Sequence, residues 1–412
     1  MSAAWRIRIL CLAGRIILEN GGETYRAEDT VIHMAHALGM TEVDVFGIPS
    51  GLFISYTDEC GERETSVCRT FPRGTHLARV DLVNQISRQL SEGTLAPEEV
   101  MDALRAAERL GEDMARWYAP AVAFLTAAGF AVMFGGGPVD MALGGLCAAV
   151  TLLVPRLLGR RDAGGMSSVL LGGVVCALIP LAFHALTGLG VVEAMIASAI
   201  MPLVPGLSMT NAVQDILRGD MVSGVTHAAR AVMIAALLAG GALIGTHASG
   251  LMGLAGAGGE AHAVLPRSLP TVILLFASSL LAGGGFGALL YAPRKAIVWG
   301  GLLGCAGYLC YGAALTAGAA ETAAMFLGAL VAALGAQIAA RRLKMIATVF
   351  VTIAILPLVP GVGLYRAMSA LATGDMVAGA SIAAHTMALI VMIALGIGLG
   401  TALVGADRGV RR

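Results

Sequence analysis

From residue 118 to residue 404 the chain is a succession of apolar runs, each close to the ~20 residues a helix needs to cross a bilayer. They lie at about 118–135, 138–157, 166–187, 190–206 and 224–247, then at about 269–291, 296–316, 321–340, 344–360 and 379–404. A helix that is apolar all round belongs inside lipid or a very large core, and ten in series point to lipid. The pattern therefore predicts a polytopic α-helical membrane protein of about ten transmembrane helices. Composition agrees: 57% hydrophobic, 13% charged and a mean hydropathy of +0.80 lie well outside the soluble range.

Charge divides the chain. Residues 1–116 hold 18 of the 27 acids and 12 of the 27 Lys and Arg; the other 296 residues hold nine and 15. A polar N-terminal domain, 1–116, is expected to precede a first transmembrane unit, 117–250, a Gly-rich linker, 251–268, and a second unit, 269–405. With the N-terminal domain inside, the inner loops and tail receive Arg156, Arg160, Arg161, Arg218, Arg294, Lys295, Arg341, Arg342, Lys344, Arg408, Arg411 and Arg412. The outer loops receive Arg267 and Arg366, while Arg230 falls within a span. Twelve against two is a strong positive-inside bias, which places the N-terminal domain and the C-terminus in the cytoplasm. Zero net charge, with no basic stripe, argues against a nucleic-acid partner.

The first 20 residues, with Arg15 interrupting a short apolar stretch, read as an amphipathic helix rather than a signal peptide. Helical periodicity covers 4–19, 24–39, 76–92 and 97–113, with Thr24 expected to cap the second helix. Alternation between Glu42 and Phe71 predicts three short strands, so the domain is a small α+β unit. The seven cysteines show no regular spacing. Cys60 and Cys68 could meet across a hairpin, but free thiols in a reducing compartment are the expectation.

One segment occurs twice. PLVPGLSMTNAVQDILRGDMVSG (202–224) returns 155 positions later as PLVPGVGLYRAMSALATGDMVAG (357–379), with 11 of 23 positions identical and no gap. Each unit has five expected spans, an odd number, so the second must be inserted upside down relative to the first. Inverted five-helix repeats are the mark of secondary transporters, whose central site is built from broken helices. Pro205-Gly206 and Pro360-Gly361 are the expected breaks, each followed by a short half-helix that ends at Gly-Asp.

Half-helix N-termini attract carboxylates, and freed carbonyls at a break coordinate cations. Ser208, Thr210 and Asn211 in the first copy, and Tyr365 and Arg366 in the second, supply polarity there as candidate substrate-binding residues. Asp220 and Asp375 are candidates for proton coupling, with helix N-capping as the alternative. Ten residues on, Arg230 and His385 occupy matched positions. Arg230 is a candidate for holding a substrate carboxylate or, alternatively, for snorkelling to the interface. His184, His227, Asp215 and Glu193 are read as packing or interface residues. The chain has only two lysines and neither follows a glycine, so no Walker A loop is present; GxSxG and HExxH are absent too. His33 and His36 read as part of a polar helix face. No enzyme activity, metal or other cofactor is indicated, and association of copies into a homo-oligomer is left open.

ETYRAEDTVIHMAHALG (23–39), VDVFGIPSGLFISY (43–56) and the repeated PLVPG…GDM…G segments resemble the threonine/serine exporter family of bacterial inner-membrane proteins. The resemblance covers nearly the whole chain. It implies export of threonine, serine or a similar small amino acid driven by the proton-motive force; some split relatives are associated with succinate export, so a dicarboxylate exporter is the alternative. A membrane-anchored enzyme or sensor is a third reading. The family pattern around Glu23, Thr24, Arg26 and Glu28 admits three roles: a buried cluster supporting the fold, a gate at the cytoplasmic mouth, or a hydrolase-like activity.

Overall fold

A computed structural model describes residues 3–57, 61–71, 74–111, 118–159, 165–217, 219–254 and 261–405. The N-terminal unit follows the expected order: α1 (Ala3–Glu19), α2 (Thr24–Ala37), β1 (Val43–Ile48), β2 (Gly51–Thr57), β3 (Arg63–Arg69), α3 (Leu77–Ser91) and α4 (Val100–Arg109). The strands form one antiparallel sheet in the order β1-β2-β3, with Phe46 opposite Phe53 and Phe53 opposite Val67. Strand alternation turns Leu52, Ile54 and Tyr56 inward and leaves Phe53 exposed. The inward face meets Ile9, Leu10, Ala13, Ile16 and Ile17, which helical spacing gathers on one side of α1.

Two local expectations are corrected. The N-cap of α2 is Glu23, in extended conformation, not Thr24, which is the first helical residue and fully buried. Glu23 does not cap with its side chain because that side chain is engaged elsewhere. Nor are all the thiols free: Cys11 and Cys68 form a disulfide that ties α1 to β3. The pairing joins elements 57 residues apart, so local spacing gave no sign of it; Cys60 lies outside the described residues.

The apolar body comprises α5 (Ala119–Met133), α6 (Pro138–Thr151), α7 (Val154–Leu158), α8 (Met166–Thr187), α9 (Val192–Ile200), α10 (Gly206–Leu217) and α11 (Met221–Leu251). It continues as α12 (Leu269–Leu289), α13 (Arg294–Thr316), α14 (Glu321–Leu343), α15 (Ala347–Ile355), α16 (Gly361–Ala372) and α17 (Met376–Gly405). Among the described residues seven helical stretches are long and apolar enough to cross a membrane, and eight if the bent pair α15–α16 counts as one. The chain is thus a polytopic helical membrane protein. Two of the ten expected spans, 118–135 and 190–206, are the shorter apolar helices Ala119–Met133 and Val192–Leu203. α11 runs on to Leu251, into the stretch expected as linker.

Glycines let the long helices touch through their backbones, and the contacts recur at a fixed interval. Gly241 and Gly245 of α11 lie against Leu170, Val174 and Ala177 of α8; 155 residues on, Gly396 and Gly400 of α17 lie against Phe326, Ala329 and Ala333 of α14. Gly145 of α6 faces Phe124 of α5, and 156 residues on, Gly301 of α13 faces Leu280 of α12. Close small-residue contacts are how helices associate without a hydrophobic force between them. The N-terminal unit docks on this body through backbone bonds from Leu77 and Ala78 to the carbonyls of Leu290 and Tyr291, at 2.9 and 3.0 Å.

Candidate functional site between two helix breaks

Both repeated segments break where the prolines predict. α9 tightens into a 3-10 turn at Met201–Leu203 and ends, and α10 starts afresh at Gly206; α15 does the same at Leu356–Leu358 and α16 starts at Gly361. The restarted helices are 12 residues each, as the Gly-Asp endings require. The breaks pack on one another reciprocally. A methyl group on Gly206 would meet Val359 at 3.5 Å, and one on Gly361 would meet Val204 at 3.5 Å, the same contact with the two segments exchanged.

This contact lies beside two cavities, the first lined mainly by apolar groups with a few charged ones among them and the second mainly by polar ones. The first, about 520 Å³, is lined by the second break (Pro357–Gly363), by Tyr308 and Tyr311 of α13, Glu321 of α14, Arg366 of α16 and His385 of α17, and by Ala261–Ala263. The second, about 920 Å³, lies between α2 and α3 of the N-terminal unit and the ends of α14, α15 and α17, with Gln214, Gln337 and Thr401 on its wall. Between them Gly206, Met209, Val213, Val359, Ile390, Ile393 and Ile397 enclose only about 10 Å³. This apolar constriction shares Val359 and Pro360 with the lining of the first cavity and Ile397 with that of the second, and it holds about one water at most.

Arg366, Glu321 and His385 of the first cavity's lining are all ion-paired. Arg366 is bonded to both carboxylate oxygens of Glu193, with Nη2 2.7 Å from Oε2, and also donates to the Ala261 carbonyl at 2.6 Å. The Ala261 amide donates back to Glu193 at 2.6 Å. Nearby, His385 Nε2 lies 2.9 Å from Glu321, which also accepts from the Tyr311 hydroxyl at 3.3 Å. Glu193 is therefore paired across the two halves, whereas its spacing in the sequence suggested only an interface residue. Its partner Arg366, 173 positions away, gave no local sign.

The second cavity is mixed in charge: Glu23, Asp29 and Glu92 alternate with Arg26, Arg88, Arg341 and Lys344. Arg26 Nε donates to Glu23 at 2.8 Å, and its Nη2 donates at 2.8 Å to Thr348 Oγ1, whose hydroxyl lies 3.0 Å from both Glu23 oxygens. Burial alone would lower the Arg26 guanidinium, but Glu23 beside it holds it above its ordinary value. Glu28 is raised by burial against a bond from the Gly47 amide, with Asp220 adding to the rise.

A family model described as "Putative threonine/serine exporter" matches residues 8–248, more than half of the chain, and one described as "Threonine/Serine exporter, ThrE" matches residues 275–403. The chain belongs to the threonine/serine exporter family. This exporter-family chain is also 24% identical over 370 residues, 87% of its length and 69% of the relative's, to a protein of Mycobacterium tuberculosis (strain ATCC 25618 / H37Rv) named "Probable threonine/serine exporter". No solved structure matches it.

Of the residues expected at an exporter site, Pro360, Gly361, Arg366 and His385 line the first cavity, and Gly206 the constriction; Pro205 is buried at the first break. Asn211 is buried in α10 and Ser208 half-buried. The Thr210 backbone lies in α10, but its side chain is outside the described residues. Ser208, Asn211, Arg230 and Tyr365 line none of the three spaces as described. Arg230 is exposed on α11. Asp220 and Asp375 sit at the starts of α11 and α17, accepting from the amides of Ser223 and Ala378 at 3.4 and 3.0 Å, which is N-cap geometry. The structure adds a pairing that the sequence reading set aside: Asp215 of α10, buried, lies 3.7 Å from His227 Nε2 of α11.

Proposed function

We propose that the protein is a secondary transporter that exports threonine, serine or a similar small amino acid across the bacterial inner membrane, coupled to protons. The observation that carries this reading is the reciprocal packing of two broken helices beside two cavities, with an apolar constriction that shares lining residues with both. Alternating access needs a central site that each side reaches in turn, and broken helices from two repeats are the usual way to build one. The recurrence of equivalent contacts at 155 or 156 residues supports two five-span units, 117–250 and 269–405, inserted in opposite directions. The separate family matches on either side of the expected linker agree with that division. On this reading the unit 1–116 and the C-terminus are cytoplasmic.

The substrate class follows from the lining. An amino acid brings one carboxylate and one ammonium, and the first cavity offers Arg366 and His385 beside Glu193 and Glu321. A zwitterion can exchange with these internal pairs without leaving a charge unmatched, which a dicarboxylate cannot do. Proton coupling is assigned to Asp215 with His227, and to Asp220, which lies within electrostatic reach of both Glu28 and His227. A buried carboxylate beside an imidazole inside a membrane bundle is a natural place for a proton to be taken up and released. Asp375, exposed at its helix start, is read as a cap alone.

Counterflow in liposomes tests the proposal. Vesicles are loaded with threonine, serine or succinate, a pH gradient is imposed, and exchange of labelled substrate is measured. Threonine or serine flux accelerated by the gradient is expected. Flux of succinate alone would replace the substrate class, and flux of none would overturn the transporter reading.

A further inference from the structure

The N-terminal unit occupies the same contacts at one end of the body that the first half and the loop after it make at the other end. Three correspondences carry this; apart from the Met133 and Tyr291 carbonyls, the residues are matched by the internal interval of 155 or 156. At the end of α5, His262 and Val264 donate to the carbonyls of Phe134 and Met133, and the His262 ring covers Gly135. At the matched end of α12, Leu77 and Ala78 of the N-terminal unit donate to Leu290 and Tyr291, and the His76 ring stacks on Tyr291 at 4.9 Å. Gly135 and Tyr291, 156 residues apart, both have positive φ, +80° and +51°.

The second correspondence lies at the starts of α9 and α15. The Val191 amide donates to Asp140 of α6 at 2.8 Å; 155 residues on, the Ile346 amide donates to Asp81 of the N-terminal unit at 3.3 Å. The position in α13 that matches Asp140 is Ala296, which has no carboxylate to offer. The third concerns the ion pairs. Glu193 and Arg366 match Thr348 and Asn211, both neutral. Where one end has Glu193 bonded to Arg366, the other has Thr348 bonded to Glu23 and Arg26 of α2. The N-terminal unit thus supplies, at these three places, the ring or charge that the matched residues of the body do not: His76, Asp81 and the Glu23–Arg26 pair.

We infer that the N-terminal unit is the second gate of the pathway, with the Glu23–Arg26 pair on Thr348 closing the 920 Å³ cavity as Glu193–Arg366 closes the 520 Å³ one. This deepens the transporter reading and rests on it. It makes Glu23 and Arg26 positioning residues whose loss opens one mouth at the expense of the other.

Site-directed thiol labelling tests this without reference to any substrate. In full-length protein in liposomes, with the cysteines outside the Cys11–Cys68 bond replaced by serine, single reporters Val351→Cys and Met325→Cys are placed in the second and first cavities, where both side chains are buried. Arg26→Ala and Thr348→Val are expected to raise labelling of the Val351 position by a membrane-impermeant maleimide about tenfold, the scale of a typical coupling free energy, and to lower labelling of the Met325 position. Arg366→Ala is expected to do the reverse, and Arg26→Lys to restore most of the closure. Unchanged labelling in an Arg26→Ala protein that elutes as the parent does would overturn the gate. So would equal rises at both reporters, which mark general loosening. Reciprocal labelling without threonine flux would retain the gate and refute the transport assignment instead.

Discussion

Arg366 and Glu193 stand 173 residues apart and clamp α16 to α9, with Arg366 Nη2 2.7 Å from Glu193 Oε2 and the Ala261 peptide closing the ring on both. The pair joins the second half of the molecule to the first at the edge of the 520 Å³ cavity. On the proposed function it is the place where a charged substrate would compete for partners.

Replacing Arg366 with alanine is expected to cost about 2 kcal/mol of stability, the scale for losing bonds to a charged group, since Glu193 keeps the Ala261 amide. Its effect on exchange should be larger than that loss explains, with the threonine KM rising more than kcat falls. Arg366→Lys keeps the charge but not the two-pronged geometry, so it should recover stability better than KM. Melting in detergent and counterflow kinetics, measured on the same preparations, check both.

Asp215→Asn should leave threonine exchange at equal pH close to the parent rate and abolish its acceleration by a pH gradient. Asp375→Asn should change neither, and Asp375→Ala should lower stability by about 1 kcal/mol, as the loss of an N-cap does. Paired flux measurements with and without a gradient distinguish a proton carrier from a cap.

His76 links stability to pH with a definite sign. Burial, reinforced by Arg79, pushes its imidazole down from 6.5 to about 4. The unfolded chain therefore takes up the proton first as pH falls. The stability held by neutral His76 is fully present above pH 6.5 and is lost as pH falls through about 4. His76→Asn retains an acceptor for the Arg79 amide, so the helix cap survives while this slope disappears between pH 6.5 and 4. Asp81 and Glu28, both raised by burial, act in the opposite direction, losing their contribution as pH rises through their raised values. Comparing melting of parent and His76→Asn across this range isolates the imidazole.

Two glycines of one helix should behave differently. A methyl group on Gly245 would come 2.7 Å from the Val174 carbonyl oxygen, whereas one on Gly250 meets nothing within 4 Å. Gly245→Val is expected to destabilise by about 1–3 kcal/mol, the cost of overpacking, and Gly250→Val to be nearly neutral. Thermal unfolding of the two variants checks the α8–α11 contact.

The order of elements, the membrane class and both helix breaks were legible in the sequence because each depends on local chemistry. Twenty apolar residues in a row must be helical in lipid, alternation must form a strand at a surface, and a Pro-Gly pair breaks a helix where Pro180 alone stays inside α8. The repeated PLVPG segments even showed that the two breaks are equivalent. Tertiary structure alone decided what meets what: Glu193 with Arg366, Asp215 with His227, Cys11 with Cys68, and the Glu23–Arg26 pair with Thr348. These partners lie between 12 and 325 positions apart, and their charges sit at residues whose local surroundings look ordinary. A charge in an apolar bundle must find a partner, but which one is fixed by how the helices cross, and no short stretch of the chain carries that information.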